Sequence, residues 1–112
     1  MDLKSRSDDA LQVVTVNDTR IDAAVAIAFK DAMRTETDTE NETVILDLNE
    51  VQFIDSSGLG AIVAAMKSMG QSRKLVLAGL TPTVDKVFRL TRMDSVFSVF
   101  PTLDGALTEL KS

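Results

Sequence analysis

Six consecutive residues, Asp55-Ser56-Ser57-Gly58-Leu59-Gly60, hold the densest chemistry in the chain: a carboxylate, two hydroxyls and two glycines where an extended segment gives way to a helical pattern. Before them runs Thr43-Val-Ile-Leu-Asp-Leu48, apolar and rich in β-branched residues. After them Leu59, Ile62, Val63 and Met66 recur at the i, i+3, i+4, i+7 spacing of one helix face. The serines therefore fall where a helix begins, and a hydroxyl there has two uses. As an N-cap it accepts from a free backbone N–H of the first turn, worth about 1 kcal/mol over alanine. Left free, it can accept a phosphoryl group, and the positive end of the helix receives the resulting anion. Gly58 lowers helix propensity directly behind the serines, and no Glu or Gln completes a capping box. Asp55 can cap as well as either serine. One capper is enough, so one hydroxyl is spare, and the small Gly58 beside it leaves it open to a partner. Spacing alone does not choose between Ser56 and Ser57.

The rest of the composition narrows the chemistry. The 112 residues include no histidine and no cysteine, which removes the commonest general base near neutral pH, the usual nucleophilic triads, thiolate chemistry and most transition-metal sites. Asp-Ser-Ser-Gly-Leu-Gly is not the Gly-x-Ser-x-Gly elbow of a serine hydrolase, and the two glycines do not make a dinucleotide fingerprint. The expectation is a protein that is not an enzyme and that needs neither metal nor cofactor. A net charge of −5 with scattered basic residues argues against nucleic acid and anionic membrane surfaces. No apolar run reaches spanning length and no secretory leader is visible, so a cytoplasmic location without membrane insertion is expected.

The elements that must position the serine turn read in order as strand and helix in alternation. Residues 1–9 form a polar N-terminal segment, and Ala10–Val16 a strand. Ile21, Val25, Ala28, Phe29 and Ala32 line a helix that closes by about Met33, with Asp22 at its positive end. Arg34–Asn41 carries no apolar residue and reads as an exposed acidic loop. Thr43–Leu48 is a central strand, Val51–Ile54 leads into the serine turn, and a helix from about Ser57 to Met69 stops at Gly70. Lys74–Ala78 is the next strand, Pro82–Leu90 a helix, Ser95–Phe100 a last strand, and Leu103, Ala106, Leu107 and Leu110 a final amphipathic helix behind Thr102. The pattern predicts a single α/β domain over residues 1–112, with a mixed sheet of about four to five strands and about four helices. A response-regulator receiver shares the alternation, but its acidic pair and late lysine have no counterpart here.

Val44–Gly70, with the tail Val96-Phe-Ser-Val-Phe-Pro-Thr-Leu-Asp-Gly-Ala-Leu107, closely resembles the STAS domain family of anti-sigma factor antagonists. The resemblance implies a partner-switching regulator of sigma-factor-dependent transcription. Its serine after the motif aspartate is the phosphoacceptor, which by position is Ser56, with Ser57 as neighbour and alternative. Asp55 matches the motif aspartate, and Asp22 looks like the family's aspartate near the first helix. Together with Ser56, Ser57 and Gly58 they form the partner surface that the resemblance implies. The implied partners are a serine kinase anti-sigma factor of the histidine-kinase-like ATPase fold and a PP2C-type phosphatase. The alternative is a STAS subunit or scaffold of a transporter or signalling complex that works without phosphorylation. Two family glycines are absent: Asp18-Thr19-Arg20 precedes Asp22 without one, and Arg92 stands where one precedes the last strand.

Overall fold

A computed structural model describes residues 1–111; the last residue of the expected domain, Ser112, lies outside the described residues. The elements are β1 (Leu3–Asp8), β2 (Leu11–Val16), β3 (Arg20–Ile21), α1 (Ala26–Glu36), β4 (Thr43–Asp47), β5 (Phe53–Ile54) and α2 (Ser56–Ser68). They are followed by β6 (Lys74–Ala78), α3 (Pro82–Leu90), a 3-10 turn (Met93–Ser95), β7 (Ser98–Phe100) and α4 (Leu103–Lys111). The main sheet has the order β1-β2-β4-β6-β7. β1 runs antiparallel to β2, and the remaining neighbours are parallel. The predicted mixed α/β architecture with four helices is the observed one.

Both faces of this sheet are covered, which explains the unbroken apolar runs of β4 and β6. Val14, Val16, Val44, Leu46, Leu75 and Leu77 face one side, where Phe29 and Met33 of α1, Ile62 of α2, and Val84 and Phe88 of α3 pack on them. The alternate residues Leu11, Val13, Ile45 and Ala78 face the other side, closed by Ala106 of α4 with Leu103, Leu107 and Leu110 beside it. This two-residue periodicity assigns every strand side chain to one layer or the other. Asp47 ends β4, is 4% exposed, and accepts from the Asn49 N–H at 3.2 Å and the Thr15 hydroxyl at 3.4 Å. Burial raises its pKa, and those hydrogen bonds oppose the rise.

Four expectations are corrected. Residues 1–9 are not simply a polar lead-in: Leu3–Asp8 is an edge strand, paired residue for residue with β2. Its side chains from Lys4 to Ser7 are exposed, so the stretch lacks an apolar signature and carries the charges that blunt a sheet edge. Ile21 belongs to β3 rather than to the first helix, which begins after Val25 and continues to Glu36. The connector is accordingly shorter than Arg34–Asn41, and it is not loose. Arg73 Nη1 donates to the Thr37 carbonyl at 2.7 Å and its Nε to that of Asn41 at 2.8 Å. The last strand begins at Ser98, because residues 93–95 turn the chain back from α3.

That reversal passes through Arg92, which holds the left-handed conformation at φ 60° and ψ 25°. The Ser95 hydroxyl donates to the Arg92 carbonyl at 2.7 Å and fixes the turn. This position carries arginine where the resembling family has glycine, and a β-carbon costs about 1–2 kcal/mol in that region. The side chain is exposed, so little packing offsets the cost. Arg92→Gly is therefore expected to raise stability by about 1 kcal/mol, read as a higher urea midpoint at unchanged slope.

Candidate functional site

The serine turn is built by two short strands that stand apart from the main sheet. β3 and β5 pair in parallel, Arg20 opposite Phe53 and Ile21 opposite Ile54. The Thr19 carbonyl accepts from the Gln52 N–H at 2.8 Å and extends the ladder backward. The pairing brings the segment before α1 against the segment before α2, so the starts of both helices lie side by side.

Asp55 is the joint between them. Its backbone is extended, at φ −110° and ψ −174°, and its carbonyl accepts the first helical hydrogen bond, from the Leu59 N–H at 2.9 Å. One side-chain oxygen, Oδ1, accepts from the Gly58 N–H at 2.9 Å, which is the N-cap bond. The other, Oδ2, accepts from the Ala23 N–H at 3.1 Å, on the neighbouring segment. The Gly58 N–H is the largest influence holding the Asp55 carboxyl below its usual pKa; desolvation opposes it, and the Ala23 and Ser57 N–H groups add smaller lowering effects. Asp22, one residue before Ala23, accepts from the Ala24 N–H at 3.1 Å and pairs with Arg20 Nε at 3.0 Å. The structure thus brings together Asp22, Asp55, Ser56, Ser57 and Gly58, all five predicted site residues.

Their roles differ from the expectation in two respects. Asp55 is the capper, so both hydroxyls are spare: Ser56 and Ser57 are exposed, the first two residues of α2, and neither hydroxyl has a protein partner among the described residues. The helix also begins at Ser56, one residue earlier than predicted. Gly58, for its part, is buried and does not serve to keep the serines open. A β-carbon on it would lie 1.9 Å from the Ile21 carbonyl oxygen and 2.9 Å from Ile54 Cγ1. Only glycine lets α2 lie this close to β3, whereas Gly60 has nothing within 4 Å of such a carbon.

Two residues of this surface escaped the sequence reading. The Arg20 guanidinium lies 4.4 Å from the centroid of the Phe53 ring, a cation–π contact between register partners. Phe53 is itself an exposed aromatic; apart from this pair, Ile27, the second residue of α1, is 74% exposed. Strand pairing over more than thirty positions carries no local signal, but an isolated aromatic just before the serine turn was a usable clue. Among the described residues, no group of three or more His, Cys, Asp or Glu is placed to hold a metal ion, and no helix is long and apolar enough to cross a membrane.

An α/β fold whose paired helix starts expose two unengaged serines beside two bound aspartates is that of a known class: the chain belongs to the STAS domain family, which it matches over residues 4–106. It is 31% identical over 100 residues to the anti-sigma-B factor antagonist of Listeria monocytogenes serovar 1/2a, covering 88% of this chain and 86% of that protein. The anti-sigma-F factor antagonist RsfB of Mycobacterium tuberculosis is 32% identical over 92 residues, which cover 81% of this chain and 75% of that one. The crystal structure of an anti-sigma factor antagonist from Mycobacterium paratuberculosis matches with a TM-score of 0.87 and 27% identity, over 99% of this chain and 94% of the other. The resemblance drawn from the serine motif is thereby borne out at the level of family and fold.

Two outcomes follow from this geometry. Gly58→Ala is expected to destabilise the protein by about 2–4 kcal/mol, since backbone rather than a movable side chain blocks the added methyl; Gly60→Ala, with open space, should be neutral or mildly stabilising in the same urea titration. The second concerns acid. Because the folded-state pKa of Asp55 is depressed, its stabilising contribution is present above the ordinary carboxylate value and is lost as pH falls through the folded value. Asp55→Asn, which keeps a capping oxygen, should therefore be less stable than wild type at neutral pH, with the gap closing below about pH 4.

Proposed function

We propose that this chain is a phosphorylatable anti-sigma factor antagonist that switches partners. With Ser56 unmodified, the surface of Asp22, Asp55, Ser56 and Ser57 docks on a serine kinase anti-sigma factor of the histidine-kinase-like ATPase fold and frees the sigma factor. The kinase transfers the γ-phosphoryl group of its ATP to Ser56 Oγ: a new O–P bond forms, ADP leaves, and the hydroxyl proton is released. The added charge of about −1.5 to −2 then opposes re-docking, and a PP2C-type phosphatase hydrolyses the ester to restore the first state. Catalysis belongs to the partners and the cycle to the cytoplasm.

The observation that carries this reading is the division of labour at the helix start. Asp55 alone meets the capping demand, through Gly58, and leaves the exposed hydroxyls unengaged. Modification at Ser56 consequently removes no hydrogen bond of the fold, and the domain can change its surface without unfolding. Membership in a family whose named relatives include anti-sigma factor antagonists supports the same conclusion. Ser57 is the alternative acceptor.

The test is incubation with a cognate kinase and ATP, followed by intact-mass and peptide analysis. Ser56 is expected to gain one phosphoryl group; if neither Ser56 nor Ser57 is labelled, the proposal fails. Ser56→Ala should remain folded and retain the kinase, whereas Ser56→Asp should weaken binding by severalfold to about a hundredfold in a calorimetric titration.

A further inference from the structure

A phosphate on Ser56 enters a surface whose obvious anion receptors are already occupied. At the start of α2, where N–H groups ordinarily attract an anion, the Gly58 N–H is claimed by Asp55 Oδ1 at 2.9 Å, and the carboxylate itself sits over the helix end. Ala23 donates to Oδ2, and Ala24 to Asp22. Both carboxylates repel a third anion. A phosphoseryl group there is favoured by a nearby cation more than by the helix end.

The cation is at hand. In the paired extended segments β3 and β5, residues two apart point to the same side, so Arg20 and Asp22 on one segment share a side, as do Phe53 and Asp55 on the other. Register sets Arg20 across from Phe53, three residues before Ser56. Its guanidinium is held from below by the Phe53 ring at 4.4 Å and from one edge by Asp22 at 3.0 Å, through Nε alone. The side chain is 59% exposed, and among the described residues no hydrogen bond engages the Nη groups, so the fork that binds phosphate in bidentate fashion remains available.

We propose that Arg20 is the receptor for the phosphate of modified Ser56, exchanging Asp22 for the phosphoryl oxygens while it stays stacked on Phe53. The inference rests on the reading of Ser56 as the modified residue and adds a second change to it. Phosphorylation would bury the charge of Arg20 under the phosphate and uncover the Asp22 carboxylate. A partner that meets a cationic fork and a neutral hydroxyl in one state meets only anions in the other. The discrimination then comes from a gained repulsion together with a lost attraction.

Phosphoserine placed at position 56 during synthesis of the full chain tests this without any kinase. In ³¹P NMR titrations, the second pKa of the phosphate is expected to lie a few tenths of a unit lower in the wild-type sequence than in Arg20→Gln, with Arg20→Lys between them and the difference shrinking in 1 M salt. The Arg20 Nε–H resonance of the wild-type chain should move with the same midpoint, a readout that needs no variant. Equal phosphate pKa values in wild type and Arg20→Gln, or an Arg20 resonance indifferent to the phosphate, overturn the proposal. Such a failure leaves the assignment of Ser56 intact, whereas a kinase that labels neither serine overturns that assignment and not the measured phosphate contact.

Discussion

The bonds of one carboxylate organise the serine-turn end of this molecule. Asp55 ties the first turn of α2 through Gly58 and the segment before α1 through Ala23, at 2.9 and 3.1 Å. That double duty requires the two segments to lie within a side chain's reach, and they do so only because Gly58 presents no β-carbon to the Ile21 carbonyl. The close approach fixes the β3–β5 pairing, the pairing sets Arg20 on Phe53, and Asp22 is drawn beside Asp55. The exposed serines are what remains once these demands are met.

Two aspartates at strand ends, Asp47 the last residue of β4 and Asp55 just past β5, illustrate how surroundings set the use of a residue. Asp47 lies under Gly79 and beside Thr15, out of solvent, and its carboxyl is pushed up by that burial. It terminates β4 and serves the fold. Asp55 lies at the surface, and backbone donors pull its carboxyl down, so it carries full negative charge at neutral pH. Their sequence contexts, apolar strand then acid, differ little. Sheet position separates them: Asp47 ends a strand flanked by β2 and β6, whereas Asp55 follows one edge of a two-stranded pair.

Much of the architecture was legible wherever burial is two-sided or a residue type is obligatory. β4 and β6 announce themselves as apolar runs, Pro82 opens α3, and Gly70 and Gly79 take positive φ where the chain must turn. β1 was illegible because an exposed edge strand has no apolar face to display. β3 and β5 were illegible for a different reason, being two residues each and defined only by a partner more than thirty positions away. At the site, the motif disclosed a helix start with a competent capper, but not that Gly58 answers to Ile21 rather than to the serines. The meeting of Asp22 with Asp55 came from family resemblance alone, because nothing local to either residue encodes it.

The two faces of the sheet are closed by unequal means, and this bears on which parts of the molecule depend on which. The larger core, from Val14 to Phe97, draws on α1, α2 and α3, all of which precede the final strand. The opposite face waits for α4, whose fully buried contribution is Ala106. The three-helix layer, together with the serine turn, is thus packed without α4, whereas Leu11, Val13 and Ile45 depend on that helix for their cover. Without α4 the contacts of the serine turn would stay in place while an apolar strip opened on the opposite face. Docking of α4, with Lys111 paired to Asp8 at the sheet edge, is what closes that strip.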